Sequence, residues 1–427
     1  MERKENRADP AAVSEHAKDP FSGQTKPPYR VGVGVTIGAL LWIVPYLGIN
    51  ALLLPAKVVE IAPDQKEVVV ATLATFAMVT ATLANIIIGA FSDLTRSRFG
   101  KRTPWLWVGS VGTAAATMLV YYSPSVPLLI LNWCVYQVFL NSLVAPLLAT
   151  IADRVAPKFR GTISAMYAIG FTVGMASGQL IGAQFLKDLR MGYIVMAVLV
   201  FCAAPISATI IREPSSASMP KKNFNKETFL TNFMFPTKHC RDFYLALFGR
   251  LFILAAGFAI TGYQLYIFTD YIGADDSTTQ STITIMSLCL MVVGVIVAAI
   301  IGPLSDKLAV RKMPVIVSAF LIAIGLVFPW IFPYPWAMIA YAIVGAGIGN
   351  GAFNAVDQAL NLEVLPNPET AAKDLGILNL AQSGSQIIGP LIASAVIGIA
   401  GYHAIFPASI VLAMVGCVAI AMIKSTK

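Results

Sequence analysis

A chain of 427 residues that is 57% hydrophobic and only 12% charged, with a mean hydropathy of +0.73, lies well outside the balance of a soluble globular protein. Its formal charge of +8 does not indicate a nucleic-acid partner, because Lys and Arg sit in short breaks between apolar runs rather than on one helix face or arm. The five cysteines, Cys134, Cys202, Cys240, Cys289 and Cys417, are scattered without a CxxC pair, so neither a disulfide framework nor a metal site is expected.

Residues 1–28 mix charges with Pro, Ser and Gly and lack an apolar h-region, so they read as a disordered cytoplasmic tail and not as a cleavable signal. Beyond them, about 20 apolar residues suffice to cross the hydrocarbon of a bilayer, where the backbone must be helical to satisfy its own polar groups. Twelve such spans are predicted, at 31–55, 68–91, 105–122, 126–152, 161–185, 191–211, 243–271, 283–303, 313–332, 336–364, 376–398 and 404–423. The long polar and basic break 212–242, "REPSSASMPKKNFNKETFLTNFMFPTKHCRD", divides them into two sets of six, 29–211 and 243–423, ahead of a short tail, 424–427. The expected fold is all-α, a polytopic membrane protein with twelve transmembrane helices.

Orientation follows from Lys and Arg in the loops. With the N-terminus inside, every Lys and Arg except Lys57, Lys66, Lys187 and Arg190 falls on the inner side. A multi-pass protein of the cell membrane, inner or plasma, with both termini cytoplasmic, is the expectation. "GAFSDLTRSR" at Gly89 recurs as "GPLSDKLAVRK" at Gly302, each after the second helix of its set, so that Asp93 matches Asp306. This repeat predicts two parallel pseudo-repeat bundles around a central pathway.

Polar groups at membrane depth are costly, and where they share one helix face that face looks at protein or water. On the tenth span Asn350, Asn354, Asp357 and Asn361 stand at i, i+4, i+7 and i+11, within about 60° of one another at 100° per residue. Trp42, Tyr46 and Asn50 share a face of the first span and Gln137 and Asn141 one of the fourth. Tyr263, Tyr266 and Asp270 do so on the seventh, and Asn379, Gln382 and Gln386 on the eleventh. With Gln264 and Gln358 added, the expected solute-binding set is Trp42, Tyr46, Asn50, Gln137, Asn141, Tyr263, Gln264, Asn350, Asn354, Asp357, Gln358, Gln382 and Gln386. Amides and phenols offer donors and acceptors together, and aromatic rings stack on sugar faces, which suits a neutral polyhydroxyl solute. The competing reading makes each amide interhelical glue. Asp357 is the carboxylate placed well inside a span, either a proton-coupling group or the permanent partner of a base such as Arg250; Arg250 could also snorkel to the inner face, and Asp270 reads as solvated.

Twelve spans in two sixes, a long middle loop and a G-x-x-S-D motif followed by bases after the second and eighth spans resemble the major facilitator superfamily over residues 30–423. "SDLTRSRFGKRTPW", with its G-K-R-x-P-W ending, is similar to the glycoside-pentoside-hexuronide cation symporters and their sucrose-transporter relatives, as is "DLGILNLAQSGSQIIGP" from Asp374 to Pro390. The resemblance implies alternating access about a cavity lined by the first, fourth, seventh and tenth helices, and transport of a sugar or glycoside. Sodium-coupled members carry acidic residues on the second and fourth helices; here those spans hold Thr72, Thr75, Thr80, Thr82, Asn85, Asn132, Gln137 and Asn141 instead, which argues against sodium and leaves coupling to a proton on Asp357. Asp93 with Arg96 or Arg102, and Asp306 with Arg311, are expected to latch the cytoplasmic side in the outward-open state and to break on opening inward; the same bases also fix topology.

Enzyme chemistry finds no support, since His16, His239 and His403 fall in a tail and two loops. No cofactor is expected and no P-loop is present, so the energy must come from a gradient. The expected partners are a small solute and the lipid bilayer, with the chain a monomer. The alternatives are an exporter of amphipathic compounds or lipids, kept open by Met286, Met291, Phe252, Phe258 and Phe268, and a receptor without flux.

Overall fold

The structure, a computed structural model, describes residues 24–218, 236, 240–308, 311–365 and 371–424. The proposed tail 1–28 and middle loop 212–242 lie mostly outside the described residues. The expected twelve helices form. They are α1 (Tyr29–Ile61), α2 (Lys66–Leu94), α3 (Thr103–Tyr121), α4 (Val126–Arg154), α5 (Pro157–Ala183) and α6 (Leu189–Ile211). The second set is α7 (Arg241–Gly262, continuing through Gln264–Tyr266 and Ile267–Ile272), α8 (Asp276–Leu308), α9 (Lys312–Ile331), α10 (Pro335–Tyr341 through Ala342–Gly349 to Asn350–Glu363), α11 (Ala371–Ala400) and α12 (Ile405–Ala421). Among the described residues, ten stretches of these helices are long and apolar enough to cross a membrane.

Packing repeats between the two sets. In the first, α1 packs on α5 and α6, α2 on α4, and α3 on α4 and α6; in the second, α7 packs on α11 and α12, α8 on α10, and α9 on α10 and α12. The sets meet where α2 packs on α11 and α5 on α8. Small residues make the closest approaches, as expected where apolar lipid leaves helices little hydrophobic reason to associate. On α5, Gly170, Gly174, Gly178 and Gly182 stand four apart and face α1; a Cβ on Gly178 would come within 2.6 Å of the Val44 carbonyl oxygen.

Prolines inside the helices each remove a backbone donor. Pro205 in α6 leaves the Phe201 carbonyl without its usual bond, and the buried Ser110 hydroxyl of α3 reaches it at 2.8 Å and the Val200 carbonyl at 2.6 Å. Wide π-helical turns interrupt α1 at Ile49–Leu53, α7 at Ile267–Ile272 and α10 at Ala342–Gly349. Such turns occur at functional sites because they re-aim the residues beside them. The turn in α1 carries Asn50.

Candidate functional site

Tyr46 and Asn50 from α1 and Gln386 from α11 line a cavity of about 60 Å³ between the two helix sets. Its remaining walls include Met78 of α2 and Phe258 and Thr261 of α7. The Tyr46 hydroxyl donates to Gln386 Oε1 at 3.3 Å, joining the sets across the cavity. Behind Tyr46 stands an aromatic wall: Trp133 lies parallel to it within 5° at 6.4 Å between ring centroids, Tyr136 stacks on Trp133 at 4.5 Å, and Trp42 packs between Tyr46 and Phe171. Trp42, expected in the solute-binding set, is packed against these two rings in this arrangement.

Several expected solute residues are engaged elsewhere. Asn141 accepts from Asn85 Nδ2 at 3.2 Å and donates to the Gln137 carbonyl, so it ties α4 to α2, and Gln137 beside it is buried. Tyr263 is fully buried in the seam between the sets; its hydroxyl lies 2.8 Å from the Glu67 carbonyl oxygen and 3.1 Å from that of Pro390. Gln264 beside it is buried as well. A stripe on a helix shows which residues share a face and not which way that face turns in a given state, and here the α7 stripe faces the closed seam. On α10, Asn350 faces Gly257 of α7 and Asn354 is exposed; Gln382 is half-buried on α11. The side chain of Gln358 lies outside the described residues.

Asp357 and Arg250 form a buried ion pair, with Nη1 at 3.3 Å from Oδ2 and side chains only 5% and 8% exposed. Asn361 Nδ2 donates to the same carboxylate oxygen at 3.1 Å, and Arg250 Nη1 also reaches Asn379 Oδ1 of α11 at 3.2 Å. Of the alternatives open in the sequence, Arg250 pairs and does not snorkel. The cluster ties α7, α10 and α11 together in the lower half of the second set, toward the end where α1 begins and α12 ends, here the basic end.

At the basic end the repeat motif builds a network within the first set. Arg102 donates to Asp93, to Ser92 Oγ at 2.8 Å and to Asp153 Oδ2 at 2.7 Å, while Lys101 reaches Asp153 Oδ1 at 2.9 Å. The Glu213 carboxylate, from the segment after α6, accepts from the backbone N–H of Lys101, Arg102 and Thr103 at 2.8–3.1 Å and caps α3. An anion there meets the free donors and positive dipole end of the helix. Gly100, at φ +93°, leaves the room that this carboxylate fills. Pro104 opens the first turn of α3, and the Trp105 indole donates to Thr95 Oγ1 at 2.8 Å while stacking on Phe91. In the second set Arg311 pairs with Glu363 at 3.5 Å, as Arg102 pairs with Asp153. Arg96 is half-buried in the same loop, and the Asp306 side chain lies outside the described residues.

Asp93 and Arg102 are paired, and both belong to the first set. Residues that sequence reasoning missed are Glu213, Asp153 and Glu363. Their partners lie far off in sequence, and only the acidic residue closing the fourth and tenth helices offered a signal.

Bonds that cross between the sets toward the opposite end are Tyr46–Gln386, Tyr263 and Tyr402 on Glu67, Tyr266 on Pro55, Lys66–Asp270, and Gln184 with Gln280 and Thr284. Asp270 is thus paired across the seam and not simply solvated.

By sequence, no curated protein matches the chain. Among solved structures it is similar to a variant of the nucleoside transporter NupG, with TM-score 0.72 at 14% identity over 92% of this chain and 99% of that one. It is also similar to a bacterial homologue of the human lysosomal transporter Spinster in an inward-facing, occupied conformation, with TM-score 0.69, 15% identity, and 94% and 98% coverage. The human organic anion transporter MFSD10 follows with TM-score 0.58, 17% identity, and 92% and 100% coverage. The sequence pattern of the Major Facilitator Superfamily matches residues 31–277 and 247–426, nearly the whole chain beyond the first 30 residues. With its doubled six-helix packing and a cavity between the halves, the chain belongs to the Major Facilitator Superfamily.

Proposed function

We propose that this membrane transporter moves a small neutral polyhydroxylated solute, a sugar or glycoside, by alternating access between its two six-helix halves, with Asp357 as the proton-coupling carboxylate. Membership of the superfamily makes it a transporter rather than an enzyme. The observation that carries the solute class is the meeting of Tyr46, Asn50 and Gln386 at the cavity between the halves, in front of the ring wall of Trp133 and Tyr136. Phenol and amide groups donate and accept at one site, as a solute with many hydroxyls requires, and no unpaired charge lines that cavity.

The cavity of about 60 Å³ has room for about two waters, so a solute occupies it only when the halves rearrange around it. Asp357 supports the coupling role because it is a buried carboxylate facing one base, Arg250, so that protonation breaks the pair and frees Arg250 for its other partner, Asn379.

Counterflow in proteoliposomes tests this directly, with sugars, glycosides, nucleosides and lipophilic cations as the panel, at two pH values and with or without sodium. Exchange of sugars or glycosides is expected, sensitive to pH and not to sodium, and lowered at least tenfold by Gln386→Ala. Exchange of lipophilic cations with sugars silent would instead favour an exporter of amphipathic compounds, for which Met78 and Phe258 in the cavity wall would be the lining.

A further inference from the structure

The two halves repeat one another at the basic end, and one corner of the second half lacks what completes its counterpart. In the first half the passage from α2 into α3 is aromatic, with Phe91 stacked on Trp105 and Trp107 two residues further on. Aligned on Asp93 with Asp306, and on Pro104 with Pro314 at the starts of α3 and α9, these residues become Leu304, Val315 and Val317. Beside them a cleft of about 200 Å³ opens, bounded by Val297 and Ile300 of α8, Pro314, Val317 and Leu321 of α9, and Ala352 of α10. Ile300 and Val317 are 57% and 48% exposed, so the cleft faces the membrane and not the central cavity.

The charge at this corner differs in the same way. In the first half the segment after α6 supplies Glu213, whose carboxylate caps α3. In the second half the segment after α12 takes the corresponding place, because Lys312 at the start of α9 donates to the Ile423 carbonyl at 2.7 Å. The residue that follows is a base, Lys424, and Lys307 adds another at the end of α8; both are exposed. The described acids nearby are engaged, Glu363 by Arg311 and Asp242 by Arg241 and the Lys424 N–H.

One corner therefore wants both an apolar filler and an anion. A dry apolar cavity of about 150 Å³ already takes a benzene-sized ligand, so this cleft suits a length of hydrocarbon chain. From Pro314 to Leu321 it runs about 10 Å along α9, beginning at the bases. A phospholipid with a negative headgroup supplies both missing parts in one molecule, and basic pockets between membrane helices are known to hold such headgroups.

We propose that the corner of α8, α9 and α10 is a binding site for an anionic phospholipid, with an acyl chain in the cleft and the headgroup phosphate at Lys307, Lys312 and Lys424. The proposal rests neither on the solute nor on Asp357, so its outcome is separate from that of the counterflow panel.

Native mass spectrometry of the full chain, released from detergent with equal phosphatidylglycerol and phosphatidylcholine, measures the preference. Wild type is expected to retain one phosphatidylglycerol at least fivefold over phosphatidylcholine. Val317→Trp, which sets the ring of the first half into the cleft, is expected to abolish that retention, and Val317→Phe stands in if it folds poorly. Lys307→Gln/Lys312→Gln is expected to bring phosphatidylglycerol down to the level of phosphatidylcholine. Phosphatidylglycerol with a photoactivatable acyl chain should label peptides covering 297–301 and 314–321. Equal retention of the two lipids by wild type, retention unchanged by the Val317 variants, or labelling confined to other helices overturns the proposal.

Discussion

Replacing Asp357 with Asn while Arg250 stays in place isolates what the buried cluster contributes. Arg250 retains 7% of its surface and Asp357 3%, and among the described residues the other hydrogen-bond partner of the guanidinium is the Asn379 amide. Breaking such a pair on one side leaves a buried charge without compensation, which costs about 3–5 kcal/mol. At about 2 °C per kcal/mol, thermal unfolding in detergent should fall by about 6–10 °C. Arg250→Met with Asp357→Leu removes both charges and fills similar volume, so most of the loss should return, since a buried pair is often no better than a packed apolar one. Transport then separates structure from coupling. The double variant should still exchange solute in counterflow but fail to accumulate it on a proton gradient. An Asp357→Asn protein that melts with the wild type would refute the energetic reasoning, and gradient-driven accumulation by the double variant would remove Asp357 from coupling.

Two further variants test the packing. Ser110→Ala should cost about 1–3 kcal/mol, because the Phe201 carbonyl that Pro205 already deprives of a backbone donor loses its replacement. Adding Pro205→Ala restores an N–H at that place and should recover part of the melting temperature. Gly178→Leu sets a side chain against the Val44 carbonyl of α1 and should yield aggregated protein on size-exclusion chromatography, whereas Gly161→Leu, with nothing within 4 Å of its Cβ, should elute as wild type.

The helices were legible because lipid leaves the backbone no other choice: the span expected at 126–152 is Val126–Arg154, and that at 105–122 is Thr103–Tyr121. The G-K-R-x-P-W ending was read only for its likeness to a family, and the structure adds that it is the turn into α3, with Pro104 in the first turn. The spacing of Gly170, Gly174, Gly178 and Gly182 was open to the same reading, since glycines four apart mark a close helix contact. Glu213 was not legible. Its partners lie on a helix start more than 100 residues earlier, and nothing local distinguishes it from other acidic loop residues. Tyr263 and Asn141 were found as polar faces but assigned to the cavity, because helical periodicity fixes a face relative to its neighbours on the same helix and says nothing of how two halves are tilted.

That limit bears on the basic motif itself. An Asp–Arg pair following a membrane helix invites reading as a latch that opens, and in this structure Asp93 and Arg102 are joined within one half. Arg102 also binds Asp153 at the end of α4, and Glu213 fixes the start of α3, so four segments of one half are tied at a single corner. Arg311 with Glu363 repeats part of this in the other half. Rocking needs halves that keep their shape, since a half that deforms would absorb the motion before it reached the site. The charges at the basic end give that stiffness. Across the seam at the opposite end the two halves are joined by polar contacts, among them Lys66–Asp270 and Tyr263 on the Glu67 carbonyl, and contacts of that kind exchange readily for water when a partly exposed seam parts.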